Sequence, residues 1–466
     1  MDLLYKNTIH HPPSIDKIIT MENIVESIWS KSKLLVKAGM IFLIVLILQI
    51  PTFYIRDLIS EREARQKEAV TEVSNKWAAR QHIAGPVLVL PYWMNAADSG
   101  NVQSRHYAYF LPDELTIRST ITPEEKHRGI YKVMLYSSSN KLTGSFNNVS
   151  LGKLNIRPES VDWNNAFVHV NIADLKGIND EIKLQWKGQT ISMTADAVAD
   201  APFEEGVNAK INLAGPQDLA AAGFSVDVQL NGSGQLLFTP VGKSTTVDVQ
   251  GKWPHPSFTG DILPATTDIR KDSFSARWKS VAQKRNFPQQ WKDNAFRFLD
   301  INHAPAGKVF NNINDAAFGT DLFVPVNDYQ KTMRSIKYAA LCILLTFAAF
   351  FIIETTRQRS VHPFQYGLIG LALVLFYTLL LSFSEYTGFN IAYIIASVCT
   401  IGLITWFVKD ILTSSRLSII LSLVLLLVYT YVFTILQLQD YSLLLGSVGL
   451  FIALGVIMHF SKKIKW

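Results

Sequence analysis

Six apolar stretches divide this chain very unevenly. One lies near the N-terminus and five crowd into the last third, with residues 56–332 between them. A bilayer core requires about 20 consecutive apolar residues per helix. The stretches at 34–55, 333–354, 364–383, 390–408, 417–436 and 442–460 meet or approach that length. The expected fold class is therefore a membrane α-helical bundle of six transmembrane helices, one N-terminal plus five C-terminal, carrying one large extramembrane domain. Residues 1–33 and 461–466 are then short tails.

The formal net charge of +6 is not spread evenly. Between Arg56 and Thr332 there are about 30 basic and 30 acidic residues, so the central domain is close to neutral. The surplus lies beside the hydrophobic segments. A nucleic-acid binder would instead carry it on a folded face, and that class is set aside. The two cysteines, Cys342 and Cys399, both fall in apolar segments and read as small packing residues. The central domain has none, and its size allows a core without disulfides.

Lys31, Lys33 and Lys37 precede the first segment, which places the N-terminus in the cytoplasm. Arg357 and Arg359 follow the second, Lys409 and Arg416 flank the turn after the fourth, and Lys462, Lys463 and Lys465 follow the last. The alternate loops, Phe383 to Asn390 and Gln437 to Tyr441, have acids (Glu385 and Asp440) and no base. Both termini are expected in the cytoplasm and the central domain outside. No small-x-small cleavage site follows the first segment, so it reads as an uncleaved anchor. Met21, shortly before it, is an alternative start to Met1.

Residues Arg56 to Arg80 are rich in helix formers and extend the anchor helix. GPVLVLPYW (Gly85 to Trp93) reads as a buried strand. Alternation recurs at Val168, Val170 and Ile172, at Ile182, Leu184 and Trp186, and at Phe224, Val226, Val228 and Leu230. Lys187-Gly188 and Asn231-Gly232 are turn signals. A mainly antiparallel β domain follows. In FSARWKSVAQKRNFPQQW, Phe274, Trp278, Val281 and Arg285 fall at helical spacing. The ordinary reading is an amphipathic helix covering a sheet face. The sharper one is a partner-docking surface presenting Trp278 and Trp291.

Enzyme signatures are absent from the sequence. It has no GxSxG elbow, no HExxH pair, no P-loop and no GxGxxG fingerprint. His82, His106, His127, His169, His255 and His303 are scattered rather than spaced as metal ligands. No catalytic residue, metal or cofactor is expected. In the apolar segments Glu354, Glu385 and His459 sit near the ends, and no ionisable group is expected near the midplane, as a coupled ion transporter would require. Gly367, Gly370, Gly446 and Gly449 read as helix-packing positions.

RSVHPFQYGLIGLALVLFYTLLLSFSEYTGFNIAYIIAS (Arg359 to Ser397) resembles the signature of the CreD family of bacterial inner-membrane proteins. The stretches Gly319 to Glu354 and Leu438 to Trp466 are similar to it too, as is FSARWKSVAQKRNFPQQW. The resemblance runs from about Met21 to the C-terminus and is thinner in the β domain. It implies a Gram-negative inner-membrane protein with a periplasmic domain and a cell-envelope-integrity role. Members of the family are linked to the CreBC two-component system, envelope stress, β-lactam response and colicin tolerance. The family has no established enzymatic activity. The positions matching its pattern, His362, Pro363, Gln365, Tyr366, Glu385, Asp440, Tyr441 and Gly446, are candidates for function.

Each candidate also has a structural reading, because Pro363 suits a first helical turn, tyrosines anchor at the interface and acids stabilise helix N-termini. The functional reading is that Glu385 and Asp440 receive a base, Lys331 or Arg334, and so couple the domain to the bundle. The function expected is envelope support through the large domain, with the lipid bilayer and envelope, cell-wall or lipid components as partners. The alternatives are a transport or lipid-handling component whose β domain acts as shuttle or gate, and an undetected hydrolase. The oligomeric state is left open.

Overall fold

The computed structural model describes residues 15–95, 103–196, 203, 205–219, 222–299, 311–322, 328–356, 361–412, 414–438 and 441–461. They form two compact units. A membrane unit comprises residues 1–65 and 326–466, and a β unit spans Gln66–Pro325. The β unit is thus shorter at both ends than the 56–332 expected.

In the membrane unit the first helix, α1 (Ile15–Trp77), contains the N-terminal apolar segment and runs unbroken through the charged stretch after it. The others are α2 (Asp328–Lys337), α3 (Ala339–Thr356), α4 (Pro363–Thr387), α5 (Phe389–Leu412), α6 (Ser415–Gln437) and α7 (Ser442–Ser461). Among the described residues, four helices (α1, α4, α5 and α6) are long and apolar enough to cross a bilayer, and a fifth crossing results if α2 and α3 count as one. The described apolar part of α7, Leu444–Val456, is shorter. Among the described residues, the sixth expected crossing, at α7, is therefore not shown. The 333–354 stretch is not one rod, because its apolar run starts only at Ala339. The residues before it form an amphipathic helix bent 44° from α3.

Packing within this unit uses small residues selectively. A Cβ added to Gly370 of α4 would collide with Leu48 of α1 and Phe347 of α3, and one on Gly449 would collide with Tyr431 of α6. Gly367 and Gly446 have nothing within 4 Å of that position among the described residues.

Among its described residues the β unit has sixteen strands: β1 (Gln81–Asn95), β2 (Gln103–Phe110), β3 (Glu114–Arg128), β4 (Tyr131–Phe146), β5 (Phe167–Ile172), β6 (Lys183–Trp186), β7 (Gln189–Ser192), β8 (Val207–Lys210), β9 (Ala222–Ser233), β10 (Gln235–Thr239), β11 (Ser244–Gly251), β12 (Pro256–Gly260), β13 (Thr266–Ile269), β14 (Phe274–Val281), β15 (Gln290–Lys292) and β16 (Phe318–Leu322). One sheet runs β12-β16-β10-β1-β2-β15, with β5 on the other side of β1 and β8 beyond it; the second runs β13-β14-β11-β3-β4-β9-β6-β7. Both sheets are mixed, since β1 lies parallel to β10 and β3 parallel to β11. The chain passes between sheets after β9 and again after β10. Each pass returns a later strand to an earlier one in the same direction, which hairpins alone cannot do.

The two sheets share one apolar core, to which β1 contributes Ile83, Val87 and Leu88, β3 contributes Ile117, and β9 contributes Val226 and Val228. Across it, Trp278 of β14 stacks on Phe318 of β16, with ring centroids 5.5 Å apart. The helix expected from Phe274, ended by Pro288, is instead the strand β14 and a turn, and the short strand β15 follows. In β14 Phe274, Ala276, Trp278 and Ser280 point inward while Ser275, Arg277, Lys279 and Val281 point out. Phe274 and Trp278, four apart, satisfy both a helical and an alternating period. Val281, which fitted only the helix, is on the outside.

Two turn signals fared differently. Lys187 and Gly188, at φ 47° and 82°, close the β6–β7 hairpin. Asn231-Gly232 does not turn: β9 continues to Ser233, and Gly234, at φ 70°, redirects the chain into the other sheet. Gly232 is needed because the Tyr136 ring lies where its Cβ would be.

Candidate functional site

The two ends of α4 carry most of the candidate residues, and each end is a polar clasp. At its start, His362 is the N-cap. Its Nδ1 accepts from the Phe364 N–H at 3.2 Å, and its own N–H donates to Gln365 Oε1 at 3.2 Å. Pro363 occupies the first turn, where its missing N–H is harmless. These three residues shape the helix start.

Tyr366, one turn further in, is fully buried between Phe347 and Phe350. Its hydroxyl donates to Glu354 Oε2 at 2.7 Å. The other carboxylate oxygen of Glu354 accepts from the Val361 N–H at 2.8 Å and is also met by Lys37 of α1. One buried acid in the last turn of α3 thus joins α1, α3 and α4. A carboxylate removed from water persists only with a counter-charge and hydrogen bonds, and Glu354 has both.

At the far end, α4 stops at Thr387, and Gly388, at φ 78°, restarts the chain as α5. The expected loop from Phe383 to Asn390 is therefore a single residue, and Glu385 belongs to the last turn of α4. Its Oε1 accepts from the Tyr329 hydroxyl of α2 at 3.0 Å and lies 3.9 Å from Arg62 Nε of α1. Asp328 Oδ1 accepts from the Phe389 N–H at 3.2 Å, capping the start of α5. The base expected for Glu385 was Lys331 or Arg334. The structure supplies Arg62 instead, and the Lys331 ammonium lies 5.7 Å from the Phe389 ring. α2 thus meets the α4–α5 turn through the Tyr329 hydroxyl on Glu385, with Lys331 over the Phe389 ring and not on the carboxylate.

Asp440 lies outside the described residues. Tyr441 is exposed, and its carbonyl accepts from the Leu445 N–H at 2.9 Å at the start of α7. Between the clasps, the inner faces of α3 to α6 bury Cys342, Tyr377, Tyr393 and Tyr429. The Tyr393 hydroxyl donates to the Tyr429 carbonyl at 2.9 Å.

The proposed tryptophan surface does not exist. Trp278 and Trp291 are both buried. Trp278 Nε1 donates to the Ile262 carbonyl at 3.1 Å, and Trp291 stacks on Tyr109 at 5.3 Å. Arg285 is half-buried and donates to the Pro240 carbonyl at 2.9 Å, its pKa pulled down to about 10 by desolvation of the guanidinium. On the outer face of the second sheet Arg118, Asp248, Gln250, Thr266, Asp268 and Arg277 line an open groove of about 380 Å³.

The family model for inner membrane protein CreD matches residues 33–466. The chain belongs to the CreD family. Inner membrane protein CreD of Escherichia coli is 30% identical over 448 residues, covering 94% of each chain. This CreD-family chain is accordingly a membrane protein of inner-membrane type. A solved M1 zinc metallopeptidase from Deinococcus radiodurans aligns with 36% of this chain and 39% of its own at 13% identity. Its TM-score of 0.20 carries no argument about fold or chemistry.

Of the residues in the clasps, sequence reading had named His362, Pro363, Gln365, Tyr366 and Glu385. It missed the pairing roles of Lys37, Arg62, Asp328, Tyr329 and Glu354. The available signal was a lone acid and a lone lysine, each at the end of an apolar run, where an ionised group needs a partner.

Proposed function

We propose that this chain is a non-enzymatic, multi-pass inner-membrane protein that supports cell-envelope integrity and the envelope stress response. In this reading both termini are cytoplasmic and the β unit is periplasmic. The observation that carries it is the clasp at Glu385. α1 and α2 are the helices through which the chain leaves the membrane unit for the β unit and returns from it. Both are bonded at Glu385 to the end of α4. Two stems fixed to one turn suit a scaffold that holds an envelope domain in register more than a carrier that must swing. The alternation of basic and base-free loops supports the orientation.

Replacing Glu385 by Gln together with Asp328 by Asn tests the scaffold. The expected result is a chain that still inserts but leaves cells more sensitive to detergent and β-lactam. Sensitivity identical to wild type, at equal protein level, would remove the support for this role. Topology is read separately. With both native cysteines replaced by Ala, Lys252→Cys should react with a membrane-impermeant maleimide in cells with a permeabilised outer membrane, whereas Lys409→Cys should not. The reverse pattern would invert the orientation.

A further inference from the structure

α2 places Lys331, Arg334 and Lys337 three residues apart. At 3.6 residues per turn they share an arc of about 120° on the helix surface. The opposite side is used for packing, with Tyr329, Thr332, Ser335 and Ile336 buried. Arg334 falls at the centre of the basic arc, between the two lysines. The ion pairs described for this unit, Lys37–Glu354, Arg62–Glu385 and Arg65–Glu61, involve none of the three. Among the described residues no carboxylate pairs with them. Arg62 makes the contrast plain, because its charge is answered by Glu385 on α4.

The position of α2 matters as much as its charge. It precedes the apolar α3 and is bent 44° from it, yet the chain is continuous through the bend. The Tyr338 N–H donates to the Ser335 carbonyl and the Cys342 N–H to the Tyr338 carbonyl, each at 3.0 Å. A helix that packs one face on a bundle, carries half-buried and exposed cations on the other and is bent 44° from the apolar α3 suits headgroup depth. Phosphates of lipid headgroups are the anions found there.

We propose that the Lys331–Arg334–Lys337 face of α2 binds anionic phospholipid headgroups of the phosphatidylglycerol type, in the leaflet where α2 joins α3. Arg334 supplies the planar fork that grips a phosphate with two N–H groups, and the flanking lysines add point charges. Charge complementarity identifies the occupant: a zwitterionic headgroup offers no net charge to three cations that no described carboxylate neutralises. The proposal does not depend on which side of the membrane the β unit occupies.

The test uses the full chain, purified and delipidated in detergent, titrated with phosphatidylglycerol or phosphatidylcholine and read by native mass spectrometry. Wild type should bind phosphatidylglycerol about fivefold more tightly or better, and high salt should erode the preference. Lys331→Gln, Arg334→Gln and Lys337→Gln together should abolish it. The charge-preserving pair Lys331→Arg and Lys337→Arg should keep it, as should a control with Lys409→Gln and Arg416→Gln at the other end of the bundle. Equal affinities in wild type, a preference indifferent to salt, or a preference that survives the triple neutral substitution would overturn the proposal.

Discussion

In the membrane unit the buried carboxylate of Glu354 is met by Lys37, by the Tyr366 hydroxyl at 2.7 Å and by the Val361 N–H at 2.8 Å. Among the described residues, the buried imidazole of His169 in the β unit has one hydrogen-bond partner, Asn208 Oδ1 at 2.8 Å, and a second nitrogen with none. Phe203 stacks on its ring at 3.6 Å. Burial pulls the His169 pKa down to about 4, so this side chain is kept neutral. The difference follows from what fixes register in each unit. Strands in a sheet are indexed by their ladders of backbone hydrogen bonds. Apolar helices look alike to one another, and a paired charge distinguishes one packing from its neighbours.

The largest effect should come from breaking the pair. Lys37→Met leaves Glu354 buried without a counter-charge and should cost about 3–5 kcal/mol, read as a fall in the thermal midpoint of the full chain in detergent. Adding Glu354→Gln should recover most of the loss. A single variant as stable as wild type would end the comparison, because the carboxylate would then not need its lysine.

Next in size is the pH response of the β unit. The folded pKa of His169 lies near 4, below its unfolded value of about 6.5. Between those values the unfolded chain binds more protons than the folded one. The contribution is therefore complete above about pH 6.5 and declines as pH falls toward 4, to a total of roughly 3 kcal/mol. Tryptophan-detected urea unfolding of the full chain should show that decline, and His169→Gln should flatten it. An unchanged slope in the variant would place the acid sensitivity elsewhere.

The smallest effect belongs to the cap. His362→Ala removes an acceptor for the Phe364 N–H and should cost about 1 kcal/mol, leaving the Glu354 clasp in place. A far larger loss, or an envelope defect at normal stability, would show that His362 does more than start α4.

Much of the architecture was legible because it rests on runs of like residues. Apolar length marked the spans, and alternation marked β5, β6 and β9. The failures share a cause. Phe274 and Trp278 sit at a spacing that two periods allow, and only the sheet partners of β14 decide between them. Asn231-Gly232 carries turn chemistry, but its glycine answers to the Tyr136 ring. At the candidate site, the helix-start signals at His362, Pro363 and Gln365 are local and could be read. The clasps could not, since Lys37 and Glu354 are 317 positions apart. No pattern within one helix says which distant charge will meet it.

The parallel pairing of β1 with β10 bears on how the molecule is made. β1 is the earliest strand of the unit to emerge from the ribosome. Its residues 81–84 must wait for residues 236–239 before that edge is hydrogen-bonded. β10 in turn takes its outer neighbour from β16, at residues 318–321. The first sheet therefore stays unsealed through nearly the whole synthesis of the β unit and closes just before α2 and α3 are delivered. Open strand edges recruit other chains, and long-range pairings form slowly. Nascent copies of this protein thus pass through an adhesive interval, and a chaperone that shields strand edges would have its work between the arrivals of β1 and β16.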